Sequence, residues 1–131
     1  ICNDWQTSFI PILLKTQYRD KDFYSQMKSI YIIHSVNDYR NFSKNTYNML
    51  DIKPNANVEV IDNHIQAIAN SNLVIAINYE SSALMEAIKK EKKLYTAFKS
   101  KNNLVIDVPK NTTRETWFEI AKIIETACRN L

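Results

Sequence analysis

An acid, an indole and an amide stand side by side at Asp4-Trp5-Gln6, followed by Thr7, between a strand-like Ile1-Cys2 and an apolar helical run. A tryptophan set between an acid and an amide is not core packing by type. Its ring offers a flat apolar face with a polar handle. A second candidate, His34, closes the apolar run Ile30-Tyr31-Ile32-Ile33. An imidazole at a strand end can donate a hydrogen bond or take up charge near neutral pH. Loops at the carboxyl ends of parallel strands are where open α/β sheets bind ligands. Trp5 and His34 at two such ends form a candidate ligand edge. The alternative is purely structural: Trp5 staples the helix start and His34 is a satisfied polar cap, since many strand ends carry polar residues without a ligand.

These side chains must be positioned by the elements around them. Phe9, Ile10, Leu13 and Leu14 share one face, so a helix is expected over about 7–18, with Pro11 tightening or kinking its first turns. Ile30–His34 and Leu73–Ile77 are continuous apolar runs of the kind buried on both faces of a sheet. A short helix is expected from Lys44 to Leu50 behind the cap Ser43, and Pro54-Asn55 break the chain. A further helix is expected from about Val58 to Asn70. It puts His64 on one face with Ile61, Ile65 and Ile68, which reads as a buried, hydrogen-bonded core histidine rather than a catalytic one. Asn78 or Ser81 can cap the next helix, whose face is Leu84, Met85 and Ile88.

Leu94–Phe98 and Leu104–Val108 are the last strand candidates. Their link is too short for a parallel crossover of about a dozen residues. Either they pair antiparallel, giving the sheet one antiparallel edge strand, or the first is not a strand. Thr112 and Glu115 fit a capping box for the final helix, with Trp117, Ile120, Ala121, Ile124 and Cys128 on its buried side. The expected fold is therefore α/β and Rossmann-like: a mainly parallel sheet with helices on both faces, in one domain over residues 1–131.

Composition narrows the function. The 131 residues contain no glycine, where average usage of about 7% gives roughly nine. Glycine-rich phosphate loops are excluded, leaving helix N-termini and side chains to hold any phosphate. The net charge of +3 is mild. Lys89, Lys90, Lys92 and Lys93 read as a solvated helix end that suits the macrodipole, so no nucleic-acid partner is expected. No apolar run reaches the roughly 18 residues of a bilayer span. Cys2 and Cys128 lie at opposite ends, and no Cys/His spacing suits a metal. Reduced thiols in a cytoplasmic protein are the simplest reading, with a terminal disulfide as the other. No metal or cofactor is expected, and no Ser/His/Asp or Cys/His triad has local support.

The segment Asn3-Asp4-Trp5-Gln6-Thr7, with Ile10-Pro11 and Leu14-Lys15, resembles the NDWQTALIPxxLK segment of bacterial glycogen synthases and plant starch synthases. Ile32-Ile33-His34-Ser35 stands where that family has a strand ending in TIHN. The resemblance is good from Ile1 to about Ile52 and weaker from about Ile65 to Ile88. It implies part of the N-terminal, acceptor-side domain of a two-domain retaining glycosyltransferase. Such an enzyme moves glucose from ADP-glucose onto an α-1,4-glucan, and those two molecules would be the partners of the parent protein. On this resemblance His34 faces the sugar cleft as the catalytic-site imidazole. Asp4 and Trp5 bind the acceptor sugar, Gln6 and Thr7 orient their loop, and Tyr39 stands one place from the family's tyrosine.

This sequence also departs from the family. Arg40 replaces a glycine after the IHN strand end, and Asn78-Tyr79 replace a Ser-Pro. The family's amino-terminal glycine-rich motif and its donor domain are expected outside this stretch, so the chain reads as a partial piece, inactive alone. A non-catalytic α/β binding domain that kept the scaffold and lost the site is the alternative, favoured by the missing glycines. A response-regulator-like receiver is a third, weaker option, because the acidic pocket it needs is not evident.

Overall fold

The computed structural model describes residues 1–53 and 58–131. Its main sheet has four parallel strands in the order β1 (Cys2–Asn3), β2 (Ile30–Ile33), β5 (Leu73–Tyr79) and β6 (Asn103–Val108). Between β2 and β5 the chain adds a small antiparallel ribbon, β3 (Asn41–Ser43) with β4 (Val60–Asp62). The helices are α1 (Phe9–Lys15), α2 (Asp22–Ser25), α3 (Lys44–Met49), α4 (Asn63–Asn70), α5 (Leu84–Lys90), α6 (Lys92–Lys99) and α7 (Arg114–Arg129).

Alternation along the strands divides the core. Successive side chains of a strand point to opposite faces. Tyr31, Ile33, Val74 and Ala76 therefore pack on one side, against Ala67 and Ile68 of α4, Leu84 and Ile88 of α5, and Leu94 and Phe98 of α6. Ile30, Ile32, Leu73, Ile75 and Ile77 pack on the other, with Ile106 and Val108 of β6 and against Ile120 of α7. Both faces are covered, which is why β2 and β5 read as unbroken apolar runs. A third cluster of Ile12, Tyr47, Ile52 and Ile61 joins α1 and α3 to the ribbon.

The α/β, Rossmann-like, mainly parallel fold is as expected, with β2 and β5 adjacent at the centre. Several local expectations need correction. Leu94–Phe98 lies in α6, so among the described residues the main sheet has no antiparallel edge strand, and β6 pairs parallel with β5. Leu94 and Phe98 are one helical turn apart and both buried, a spacing that a run of five apolar-rich residues conceals. The expected helix over 58–70 begins only at Asn63. Val60–Asp62 form a strand, and Asp62 caps α4 by accepting from the backbone N–H groups of His64 and Ile65.

The first helix is shorter than expected. A 3-10 turn, Trp5–Thr7, precedes α1, and Pro11 is the third residue of α1, where no helical N–H bond is lost. The last helix is boxed by Thr113 and Thr116 rather than Thr112 and Glu115, and its Trp117 and Ala121 face solvent. Lys92 and Lys93 begin α6 instead of ending a helix. Ser43 caps α3 as expected. Asn78 accepts from the Met85 N–H at the start of α5. The Pro54-Asn55 break lies outside the described residues. Cys2 and Cys128 are free thiols.

One ion cluster fixes the loop after β2. Arg40 is 6% exposed. Its guanidinium donates to Asp62 at 3.0 Å, to Glu91 at 2.5 Å and to the Asn37 carbonyl at 2.9 Å. It thereby ties the 3-10 turn Asp38–Arg40 to the cap of α4 and the junction of α5 with α6. Truncating one partner of a buried pair leaves an uncompensated charge. Arg40→Ala is therefore expected to destabilise the chain by about 3 kcal/mol in urea unfolding, the low end of the usual range because Glu91 is partly exposed. A loss below about 1 kcal/mol would mean that the two carboxylates find water instead.

Candidate functional site

The loops after β1, β2 and β5 leave the same carboxyl edge of the parallel sheet. The first turns sharply at Asp4, whose N–H still donates to the Ile32 carbonyl at 2.7 Å, extending the β1 ladder by one residue. Asp4 has φ +52°, and the chain then winds into the Trp5–Thr7 turn. Thr7 Oγ1 donates to the Asn3 carbonyl at 2.8 Å, and Ser8 Oγ to the Trp5 carbonyl at 2.6 Å. Buried Asn63 donates to Ser8 Oγ at 2.5 Å and accepts from the Tyr47 hydroxyl. The backbone under Trp5 is thus held from α3 and α4.

The second loop runs from His34 into the Asp38–Arg40 turn. Asn37 caps that turn through a bond from the Tyr39 N–H at 3.0 Å. It also donates to Ser35 Oγ at 2.9 Å, and Ser35 donates in turn to Asp4 Oδ2 at 2.7 Å. The two loops are therefore joined by a continuous chain of side-chain hydrogen bonds.

Two of the expected site residues meet directly. Trp5, half-buried, stacks on Tyr39 with ring centroids 5.5 Å apart and planes 29° apart. Tyr39 is 72% exposed, so the pair forms an aromatic ledge open to solvent. His34, half-buried, lies at the next strand end. Its Nε2 is 3.4 Å from Asn3 Oδ1, and its ring lies near Tyr79 at 6.3 Å and 26°. Gln6 is exposed and makes no side-chain hydrogen bond among the described residues. Asp4 is turned inward: its carboxylate is buried, bonded to Ser35 and 3.5 Å from His64 Nε2.

His64 is fully buried, as expected of a core histidine, and sits beneath both loops. Nε2 lies 2.9 Å from the Ser35 carbonyl, which can only accept, so Nε2 carries the proton. Nδ1 is then the acceptor for the Tyr31 hydroxyl at 2.6 Å. Burial is the main cause that holds the imidazole below its ordinary value, opposing the pull of Asp4 and Asp62 toward the charged form. Burial likewise raises the phenols of Tyr31 and Tyr47, with nearby carboxylates adding to it.

Sequence reasoning missed Asn3, Ser35 and Asn37, which connect the site residues. Each is a small polar residue within three positions of a named one, and such residues commonly bond to nearby backbone and side chains at strand ends. Among the described residues no group of three His, Cys, Asp or Glu side chains could hold a metal ion. No helix among them is long and apolar enough to cross a membrane.

The family described as the starch synthase catalytic domain matches residues 1–94. The glycogen synthase of Desulforudis audaxviator is 43% identical over 51 residues, covering 39% of this chain and 10% of that protein. That of Photobacterium profundum is 33% identical over 92 residues, covering 63% of this chain and 18% of its own length. That of Clostridium botulinum strain Eklund 17B is 56% identical over 36 residues, covering 27% and 8%. The chain thus spans less than a fifth of these curated relatives. No solved structure matches it.

The buried imidazole sets a pH dependence. Its folded value lies below the ordinary 6.5, so the unfolded chain takes up the proton first as pH falls. Stability is expected to be full above about pH 7 and to decline steadily from about pH 6.5 toward pH 5, before most carboxylates titrate. Urea midpoints across that window measure it. A flat profile would mean that the cavity around His64 accepts the charge, with Asp4 as counter-ion.

Proposed function

The chain belongs to the starch synthase catalytic domain family, and from that premise we propose that it forms part of the acceptor-side half of a retaining glucosyltransferase. In the parent enzyme the reaction is transfer of glucose from ADP-glucose to an α-1,4-glucan. The observation that carries this reading is the solvent-open Trp5–Tyr39 stack, on the loops after β1 and β2, at the same carboxyl edge of the sheet as His34. Stacked rings present a flat apolar surface, and glucose offers a matching face of C–H groups. Tyr39 adds a hydroxyl and Gln6 an amide at the rim, both suited to sugar hydroxyls.

In this reading His34 is the catalytic-site group. Its imidazole donates to a sugar hydroxyl or stabilises charge developing on the transferred ring. The Asn3 side chain beside Nε2 orients that ring. Asp4 contributes by position: it holds the Trp5 turn against the Ser35–Asn37 loop, so that the ledge and the imidazole keep their spacing. Thr7 acts similarly, through its bond to the Asn3 carbonyl.

A second reading has one observation in its favour. The inward Asp4 carboxylate leaves no acid among Asp4, Trp5, Gln6, Thr7, His34 and Tyr39 facing the ledge, which suits a scaffold that kept the fold and lost the sugar site.

A chemical-shift titration of the 131-residue chain with maltoheptaose decides between them. Binding by a half-site is expected at about millimolar Kd, near −4 kcal/mol. The shifts should be centred on Trp5, His34 and Tyr39. Trp5→Ala is expected to abolish binding with the fold retained, because the ring packs on Tyr39 at the surface rather than in the core. Absence of shifts at tens of millimolar, or shifts confined to distant residues, leaves the scaffold reading standing.

The chain alone is also expected to turn over no ADP-glucose above a heat-killed control. It spans less than a fifth of the length of its relatives, and the donor side of the proposed enzyme is a separate half. Measurable turnover by the purified chain would contradict the division of labour proposed here.

A further inference from the structure

The opposite, amino-terminal edge of the sheet carries a hollow of about 550 Å3. It lies between the end of α1, helix α2, the end of α4 and the residues that enter β6. Lys15, Arg19 and Lys101 all line it, with Tyr24, Asn70 and Asn72 beside them. No acidic side chain does. Asp20 and Asp22 follow Arg19 in the chain but form no part of the lining. None of the three cations makes an ion pair or a side-chain hydrogen bond among the described residues.

Three like charges around one concavity reinforce each other's potential, because low-dielectric walls focus the field into the hollow. Helix ends account for part of their placement. Lys15 closes α1 and Lys101 follows the end of α6, where the dipole favours cations. The end of α4 also lines the hollow, but three helix ends supply only about half a negative charge each against three full positive charges, and Arg19 stands in no helix. The hollow thus keeps a net positive character. Its volume falls within the roughly 300–1,000 Å3 typical of ligand sites. The side chains of Asn70 and Asn72 add to a mainly polar lining, which suits a hydrated anion rather than an apolar body. A guanidinium fork flanked by two point-charge ammonium groups is the donor set that phosphate oxygens accept from.

We propose that this hollow binds a small soluble polyanion bearing phosphate, with a diphosphate matching the charge of the three cations that line it. The site is remote from the carboxyl edge and does not depend on the function proposed for it.

The probe is inorganic pyrophosphate, titrated into the 131-residue chain and followed by backbone amide shifts, with sodium chloride at equal ionic strength as reference. The expected result is saturable shifts at Arg19, Ser25, Asn70, Asn72 and Lys101, with Kd below about 1 mM. Arg19→Ala and Lys101→Gln are each expected to weaken binding by about tenfold. Lys122→Ala, in α7 on the other face of the sheet, should leave it unchanged. Circular dichroism of each variant confirms the fold, which changes at the exposed Arg19 and Lys122 and the half-buried Lys101 should not disturb. Any of three results would overturn the proposal: no saturation by about 10 mM, shifts equal to those from chloride, or the same weakening in Lys122→Ala.

Discussion

The carboxyl edge of this sheet depends on one buried imidazole with one proton. His64 sits at the start of α4, where the polypeptide returns from the ribbon to the main sheet. Through Nδ1 it holds a tyrosine of the central strand β2, and through Nε2 it holds the backbone of the loop after β2. Across 3.5 Å it faces the acid that turns the loop after β1. Three segments far apart in sequence are thereby fixed against one ring. A lysine could not replace it, having no acceptor for the Tyr31 hydroxyl. A leucine would take from the buried Tyr31 hydroxyl and from the Ser35 carbonyl the partner each has in the imidazole, and polar groups buried without a partner are costly.

A chain without glycine must make its tight turns by other means. Among the described residues three have positive φ: Asp4 and Asp51 at +52° and Ala83 at +46°. Ala83, with ψ +41°, lies in the left-handed helical region, whereas Asp4, with ψ −165°, lies in an extended region that is otherwise almost confined to glycine, and the strain is of order 1 kcal/mol or more per site. Asp4 is compensated by its bond from Ser35 and by the ladder bond to Ile32. Ala83 is compensated from behind, since its carbonyl accepts from both Glu86 and Ala87 as α5 begins. The inward carboxylate of Asp4 follows from the same geometry: the turn that carries Trp5 outward carries the Asp4 side chain down toward His64.

How far the sequence could be read depended on length and on period. The two central strands were legible because four or more consecutive apolar residues have no other stable place in an α/β sheet, and each was flanked by helical spacing. Leu94–Phe98 was ambiguous for the opposite reason: its five residues contain one helical turn and an apolar-rich run at once. Only the short link to Leu104 marked it as a doubtful strand. Val60–Asp62 was misread as helix because three residues show no period, and the pairing partner, Asn41–Ser43, is some twenty positions away. At the final helix a Thr-Thr pair offered two registers for the cap, and the choice falls to Thr113, one residue later than the Thr/Glu spacing indicated.

The candidate site shows the same division. That Trp5 and His34 leave neighbouring strand ends follows from the strand pattern alone. That Trp5 meets Tyr39 does not, because the contact is made by two short 3-10 turns whose placement is tertiary. Asn37 sets the second turn, and Arg40 anchors it to charges on α4 and at the α5–α6 junction. The arginine standing where the resembled family has glycine is therefore more than a lost loop residue. Its stem and guanidinium fill space that a glycine would leave empty, and its ion pairs fix the turn that presents the neighbouring Tyr39 ring. An exposed tyrosine on an unanchored loop would sample many rotamers and offer a ligand no defined surface. Held between Asn37 and Arg40, with Trp5 behind it, the same ring becomes a fixed face, so the entropy of ordering it is already met before anything binds.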